Sequence, residues 1–453
     1  MPSSRASSMS HSLDFTTMES SPLPGCSIPA MLLLCAPRMA MQMAWSAYWA
    51  AFSPTLETRL ASWVVQLMQI IGPITGLLVY PTVAVFSDHC TSHYGRRRPF
   101  LLAGTLGTVL VWVLMMLTDF VPAAYRDGYT IFLYVCMCIS VNVTQVPVML
   151  LIADFAGDRQ VTAFSIAQAY NTLGALLVSG YISLFGPATD TFVTFLSMLI
   201  LVLVGTVLPV CICFRETPHV PDQPHRDLKS GFLAVYHGIK YLPRLLAVYC
   251  VVFILIMFGF SCYNGNKAQF FGLVVNNGNA TGADDCGDTC SPAQAAYNEG
   301  AKYALGFVDA LASFVDLAYL VLMPRLVKMY GARRVFTFAL LPQMLFVVLS
   351  WVHSKPLGAA IVALASISFN TVNSMQIPVI LHVIGYGELN GLGLFAGAFN
   401  SANCLGQFLT FVLSPPLVTT DLTHALPILV GGIVTFLGFL VAFFKFDIRM
   451  FSL

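Results

Sequence analysis

Apolar runs as long as a bilayer core is thick recur twelve times in this chain. A helix needs about 20 such residues to cross the hydrocarbon. Runs of that order lie at 28–52, 63–87, 100–118, 130–153, 161–185, 191–214, 245–263, 303–323, 335–352, 357–384, 391–414 and 425–444. In all, 57% of residues are hydrophobic and 9% charged, whereas a soluble surface needs roughly a quarter charged. The expectation is an all-α integral membrane protein of twelve spans. Residues 1–27, rich in Ser and Pro, read as a disordered tail. They are followed by a six-helix half at 28–214, a polar linker at 215–244, a second six-helix half at 245–444 and a tail at 445–453.

A net charge of +1 offers no electrostatic case for nucleic acid. The cysteines fall mostly within apolar runs, where they act as small apolar fillers rather than a metal site, and no cofactor is expected. Lys and Arg crowd the loops on the side of the amino terminus, at Arg96, Arg97, Arg98, Arg159, Arg215, Arg325, Lys328, Arg333, Arg334 and Lys445 among others. Such loops stay in the cytoplasm, so both termini are expected there. The long loop between helices seven and eight then lies outside. It carries the glycosylation sequence Asn279-Ala-Thr281 and the pair Cys286 and Cys290, a candidate disulfide, and both suit an extracytoplasmic face.

The two halves repeat each other. Asn142-Val-Thr-Gln145-Val-Pro147 in helix four matches Asn373-Ser-Met-Gln376-Ile-Pro378 in helix ten. Asn171-Thr-Leu-Gly174 in helix five matches Asn403-Cys-Leu-Gly406 in helix eleven. Trp45-Ser-Ala-Tyr48 in helix one matches Phe260-Ser-Cys-Tyr263 in helix seven, and Tyr94-Gly95 after helix two matches Tyr330-Gly331 after helix eight. Helix n pairs with helix n+6 throughout, the arrangement of the major facilitator fold, which places its site between the halves near the midplane.

Asn and Gln three apart share one helix face. Facing a shared cavity, Asn142, Gln145, Asn373 and Gln376 would ring it with amides that suit a hydroxyl-rich solute; facing neighbours, they would join helices by hydrogen bonds. Gln42, Trp45 and Tyr48 lie on a second face with Arg38, where the rings offer a stacking platform or ordinary packing. Tyr263 and Asn264 are their counterparts at the end of helix seven.

Ionisable residues at membrane depth are functional candidates. Asp309 and Asp316 lie seven apart in helix eight, and Arg38 lies in helix one. Burial disfavours the charged form of a carboxyl and so suits it to exchanging protons; structural ion pairing is the other reading. Asp88, Arg96, Arg97, Arg98 and Asp154 cluster at the cytoplasmic ends of helices two to four, as a gate between the halves or as membrane anchors.

Ser87-Asp88-His-Cys90-Thr91-Ser92-His-Tyr94-Gly95-Arg96-Arg97-Arg98-Pro99-Phe100 resembles the matching loop of plant-type sucrose–proton symporters and their animal relatives. Gly72-Pro73-Ile74-Thr75-Gly76-Leu77-Leu78-Val79 resembles the family's preceding run. The resemblance implies the major facilitator fold and uptake of sucrose or a related glucoside with protons, through a chain acting as a monomer in the plasma membrane or an acidic organelle. An uncoupled carrier and a solute sensor are the alternatives, and an enzyme is not expected. Met149 stands where the plant proteins carry a buried Arg in helix four. Asn264-Gly-Asn266 stands where their helix seven ends in an acidic element.

Overall fold

The computed structural model describes residues 25–48, 62–185, 191–216, 242–281, 283, 290–385, 392–420 and 422–450. A helix stands at each of the twelve runs, and there is no strand among the described residues. In a bilayer each backbone N–H and C=O must find its partner within the chain, which helices achieve. α1 is broken, Ile28–Cys35 then Pro37–Ala47, because Pro37 lacks an N–H. The first half continues with α2 (Ser62–Asp88), α3 (Arg98–Met116), α4 (Ala123–Ala156), α5 (Gln160–Phe185) and α6 (Phe192–Cys213). The second half has α7 (Arg244–Asn264), α8 (Asp309–Tyr330), α9 in three short pieces (Ala332–Phe338, Leu341–Met344 and Phe346–Leu349), α10 (Lys355–Ile384), α11 (Leu392–Val418) and α12 (Ala425–Lys445).

Nine helical stretches among the described residues are long and apolar enough to cross a membrane, and the one at 124–182 holds both α4 and α5. α1 and α11 are not among them. α1 is described only to residue 48, and α11 carries Asn400, Ser401, Asn403 and Gln407.

Packing follows the sequence repeat. α1 lies on α5 as α7 lies on α11; α2 lies on α4 as α8 lies on α10; α3 lies on α6 as α9 lies on α12. Contacts between the halves run chiefly through α2 with α11 and through α8 with α5, a pair that the same n to n+6 rule exchanges. Two glycines show the register. A Cβ on Gly174 would collide with the Met39 carbonyl oxygen and crowd Gln42, and one on Gly406 would collide with the Ile254 carbonyl oxygen and crowd Met257. Met39 and Ile254 each lie six residues before Trp45 and Phe260, the matched pair of the repeat. The loops repeat too: the positive-φ glycines Gly95 and Gly331 follow α2 and α8, while Gly157 and Gly385 follow α4 and α10.

Residues 25–27 and 446–450, read as tails from sequence, are packed. Gly25 N–H donates to Asp158 Oδ1 at 2.7 Å. Phe446 is fully buried, and Ala332 N–H donates to the Met450 carbonyl at 2.7 Å. The linker expected at 215–244 lies largely outside the described residues, which stop at 216 and resume at 242.

Between α7 and α8 a helix at Pro292–Tyr303 begins with a capping box, Ser291 with Gln294. Asn279 is exposed beside it, its Oδ1 accepting from Thr281 N–H at 2.9 Å. Cys290 is disulfide-bonded; Cys286 lies outside the described residues. Expression in a glycosylating cell should therefore add a glycan that Asn279→Gln removes, read as an endoglycosidase-sensitive mobility shift. A cytoplasm-restricted label reaching a tag beside Asn279 would reverse the orientation expected from the charges.

Candidate functional site

The predicted amide ring divides on inspection. Gln42, Trp45, Gln145, Asn373 and Gln376 keep partial exposure inside the bundle, Tyr48, Asn142 and Tyr263 are buried, and Asn264 is exposed at the end of α7. Asn142 does not face its repeat partner. It donates to Thr75 Oγ1 of α2 at 3.3 Å and to the Cys138 carbonyl at 2.8 Å. Asn373 likewise donates to the carbonyl four residues back, Phe369, at 2.9 Å. Tyr48 stacks on Tyr134 of α4 with centroids 4.8 Å apart, and Tyr263 on Phe346 of α9 at 5.0 Å. Asn266, which sequence reasoning passed over in favour of Asn264, is buried; it donates to Ser414 Oγ at 3.1 Å and meets His424 Nδ1 at 2.9 Å.

The two glutamines differ for a simple reason. Trp45 Nε1 donates to Gln145 Oε1 at 2.7 Å. The repeat puts Phe260 where Trp45 stands, and Phe260 instead stacks on Phe369 at 4.2 Å. Gln376 therefore has no hydrogen-bond partner among the described residues.

At the arginine-rich end, Arg97 is completely buried. Its guanidinium pairs with Asp88 Oδ1 at 2.5 Å and Asp154 Oδ2 at 3.3 Å and also donates to Ser87 Oγ. Arg96 reaches Asp154 Oδ1 at 2.8 Å. Arg98 turns away and donates to the Cys211 carbonyl. The second oxygen of Asp88 accepts from Gly393 N–H, in the first turn of α11, at 2.9 Å. A carboxylate at a helix N-terminus is stabilised by the unpaired N–H groups there. One side chain thus ties the arginine cluster of the first half to a helix of the second.

Glu216, beyond the end of α6, was not singled out from sequence. It accepts from Arg97 N–H at 2.9 Å and Arg98 N–H at 3.1 Å, capping α3 from another element. Burial pushes its carboxyl above the ordinary range, and the two N–H groups oppose that shift.

The membrane-depth charges separate. Asp309, with its side chain one-third exposed, pairs with Lys267 Nζ at 2.5 Å. Asp316 is buried and accepts from Ser366 Oγ of α10 at 2.5 Å, with no Lys, Arg or His within 4 Å among the described residues. Arg38 is buried as well and has no carboxylate partner among the described residues. It meets Asn171, whose two terminal amide atoms lie 2.7 Å from Arg38 Nη2 and 3.0 Å from the Arg38 carbonyl oxygen. Arg38 and the helix-eight carboxylates, which could pair and unpair during a transport cycle, are not paired with each other in this structure. Gln168 and Asn370, which join across the halves at 2.9 Å, were not foreseen at all.

Two helical halves meeting along a polar seam, with an ion cluster at one end of it, have the arrangement of the major facilitator fold. Residues 33–284 match the family described as MFS/sugar transport protein, and the chain belongs to that family. A sucrose transport protein of Arabidopsis thaliana is 40% identical over 81 residues, covering 18% of this chain and 14% of the relative. One from Oryza sativa subsp. japonica is 27% identical over 259 residues, 49% of this chain and 50% of the relative. A general alpha-glucoside permease of Schizosaccharomyces pombe is 27% identical over 264 residues, covering 52% and 47%. The matches thus span about half the length of these relatives or less. Among solved structures, the human organic anion transporter MFSD10 is similar with a TM-score of 0.65 at 15% identity, covering 91% of this chain and 98% of that one. The proton:xylose symporter XylE is similar at 0.61 and 13%, covering 92% and 96%. These likenesses concern the fold.

Proposed function

We propose that the chain is a secondary active transporter that moves a sugar or glucoside together with protons, with both termini and the arginine cluster on the cytoplasmic side. Asp316 carries the coupling half of this reading. It is a buried carboxylate held by a hydroxyl and an amide rather than a cation, so it can gain and lose a proton without breaking an ion pair. The solute half rests on the partly exposed neutral amides Gln145, Asn373 and Gln376, beside Trp45, between α1, α4, α7 and α10. It rests also on relatives whose names specify sucrose and alpha-glucosides. The Asp88 tie to α11 supports an inner gate that is shut in this structure.

Uptake of labelled disaccharides and hexoses into proteoliposomes, with and without an inward proton gradient, tests both halves. Gradient-driven accumulation is the expected result. Equilibration that ignores the gradient would make the protein an uncoupled carrier, and binding without flux a sensor. Within that assay, leaving a buried polar group unmatched costs about 1–3 kcal/mol. Gln376→Ala and Gln145→Ala should thus each raise the half-saturating solute concentration roughly ten-fold at normal membrane level. Unchanged values in both would assign the amides to helix packing.

A further inference from the structure

Arg38 and Asp316, the two buried charges of the membrane interior described above, never touch, yet a continuous line of side chains joins them. Asn171 of α5 contacts Arg38 at 2.7 and 3.0 Å and lies 2.9 Å from Gln168, one turn earlier on α5. Gln168 lies 2.9 Å from Asn370 of α10, and Asn370 faces the Asp316 carboxylate. All five residues are more than nine-tenths buried. The line crosses from the first half to the second between Gln168 and Asn370.

A row of amides has a direction, because each offers an N–H₂ at one side and an oxygen at the other. With Asp316 ionised, Asn370 must point its N–H₂ at the carboxylate. Gln168 then donates to Asn370 Oδ1 and Asn171 donates to Gln168 Oε1, each at 2.9 Å. That order turns the Asn171 N–H₂ toward the Arg38 guanidinium and its oxygen toward the Arg38 carbonyl, two unfavourable contacts. With a proton on Asp316, the carboxyl O–H donates to Asn370 Oδ1 and the row reverses. Asn370 donates to Gln168, and Gln168 donates to Asn171 Oδ1. Asn171 can now accept from Arg38 Nη2 and donate to the Arg38 carbonyl. The reversal costs one contact, the bond from Asn370 Nδ2 to the Ser366 carbonyl at 3.1 Å.

We propose that Gln168 and Asn370 are positioning residues of a reversible amide relay, through which a proton on Asp316 in α8 tightens the hold on Arg38 in α1. The relay rests on the coupling role given to Asp316 above, and deepens it by identifying how the second half informs the first. The other ionisable groups facing the line are Cys35 on α1, Tyr80 on α2 and Tyr170 on α5. Tyr319 on α8 is bonded to Thr371 of α10 at 2.6 Å. Asp309 stands apart, paired with Lys267.

Gln168→Met and Asn370→Leu cut the row at two points while keeping side-chain bulk. In proteoliposomes, each should lower gradient-driven accumulation within the roughly 5- to 150-fold range of energetic coupling between sites, and each should flatten the pH dependence of solute affinity. Solute exchange without a gradient should persist in at least one of them. Adding either change to Asp316→Asn should cause no further loss of accumulation, since the proton is already gone from the system. Wild-type accumulation and pH dependence in both single variants, with Asp316→Asn inactive in accumulation, would overturn the relay and leave the Asp316 reading standing. Accumulation by Asp316→Asn itself would overturn the reading beneath it, and the relay with it. Loss of exchange in both single variants would assign the amides to helix packing and equally overturn the relay.

Discussion

Asp88→Asn should cut solute uptake by roughly ten- to a hundred-fold, the equivalent of about 1–3 kcal/mol for a disrupted buried polar contact, with the protein still reaching the membrane. Two contacts are weakened together. Asp88 neutralises the completely buried Arg97 and caps α11 at Gly393. Removing one partner of a buried ion pair leaves an uncompensated charge, although Asp154 remains to hold Arg97 in part. Asn keeps an oxygen for the Gly393 N–H but not the negative charge that both groups favour. The closed arrangement should therefore lose population to its rivals. Ala84, fully buried where α2 meets Gly393, gives the readout: a cysteine placed there should react with a cytoplasmic thiol reagent faster in the Asp88→Asn background. Normal uptake with unchanged reactivity would remove Asp88 from the gate and leave it an anchor of Arg97 alone.

Asp316→Asn is expected to abolish uphill accumulation while solute exchange continues. Asn occupies the same space and can still bond Ser366, but it cannot change charge. A coupling group must take up and release a proton near ambient pH, and net transport needs that cycle where one-for-one exchange does not. Asp309→Asn should behave differently. Its partner Lys267 sits 2.5 Å away and the Asp309 side chain is one-third exposed, and a partly exposed ion pair is worth little to stability, about 0–1 kcal/mol. Accumulation by Asp309→Asn should stay within about five-fold of wild type on that energy scale. The reverse outcome, accumulation lost in Asp309→Asn and kept in Asp316→Asn, would move the coupling group to Asp309 and make Lys267 its counter-ion.

The fold was legible because membrane solvation leaves few choices. Apolar length marks each span, and the repeated Asn-x-x-Gln-x-Pro and Asn-x-x-Gly elements pair helix n with helix n+6 before any coordinate is known. Asp88 with Arg97 could be read from the same loop, since both flank one turn. Asp88 with Gly393 could not, because the bond joins residues 305 apart in sequence through a backbone N–H that any residue supplies. Gln168 and Asn370 escaped for a related reason: neither belongs to the repeated Asn-x-x-Gln-x-Pro or Asn-x-x-Gly elements, and only the crossing of α5 with α10 brings them together. Glu216 stood at the border of a polar stretch, where one more carboxylate carries no signal. The sequence signal also overstated the symmetry of the site. Gln145 and Gln376 match in motif, but the Trp45 to Phe260 difference on the neighbouring helix leaves only Gln145 with a hydrogen-bond partner among the described residues.

That difference bears on how a duplicated protein acquires a direction. At Gly174 and Gly406 the backbones of α5 and α11 press against α1 and α7 in the same register, so the frame of the molecule retains the twofold relation of its halves. Its chemistry does not: Arg38 belongs to one half and Asp316 to the other, and Gln145 has a tryptophan donor where Gln376 has none among the described residues. A symmetrical scaffold exchanges its two orientations with no preference between them. Substitutions of side chains on α1, α7, α8 and α10 are enough to make those orientations unequal while the shared register of α5 on α1 and α11 on α7 is kept.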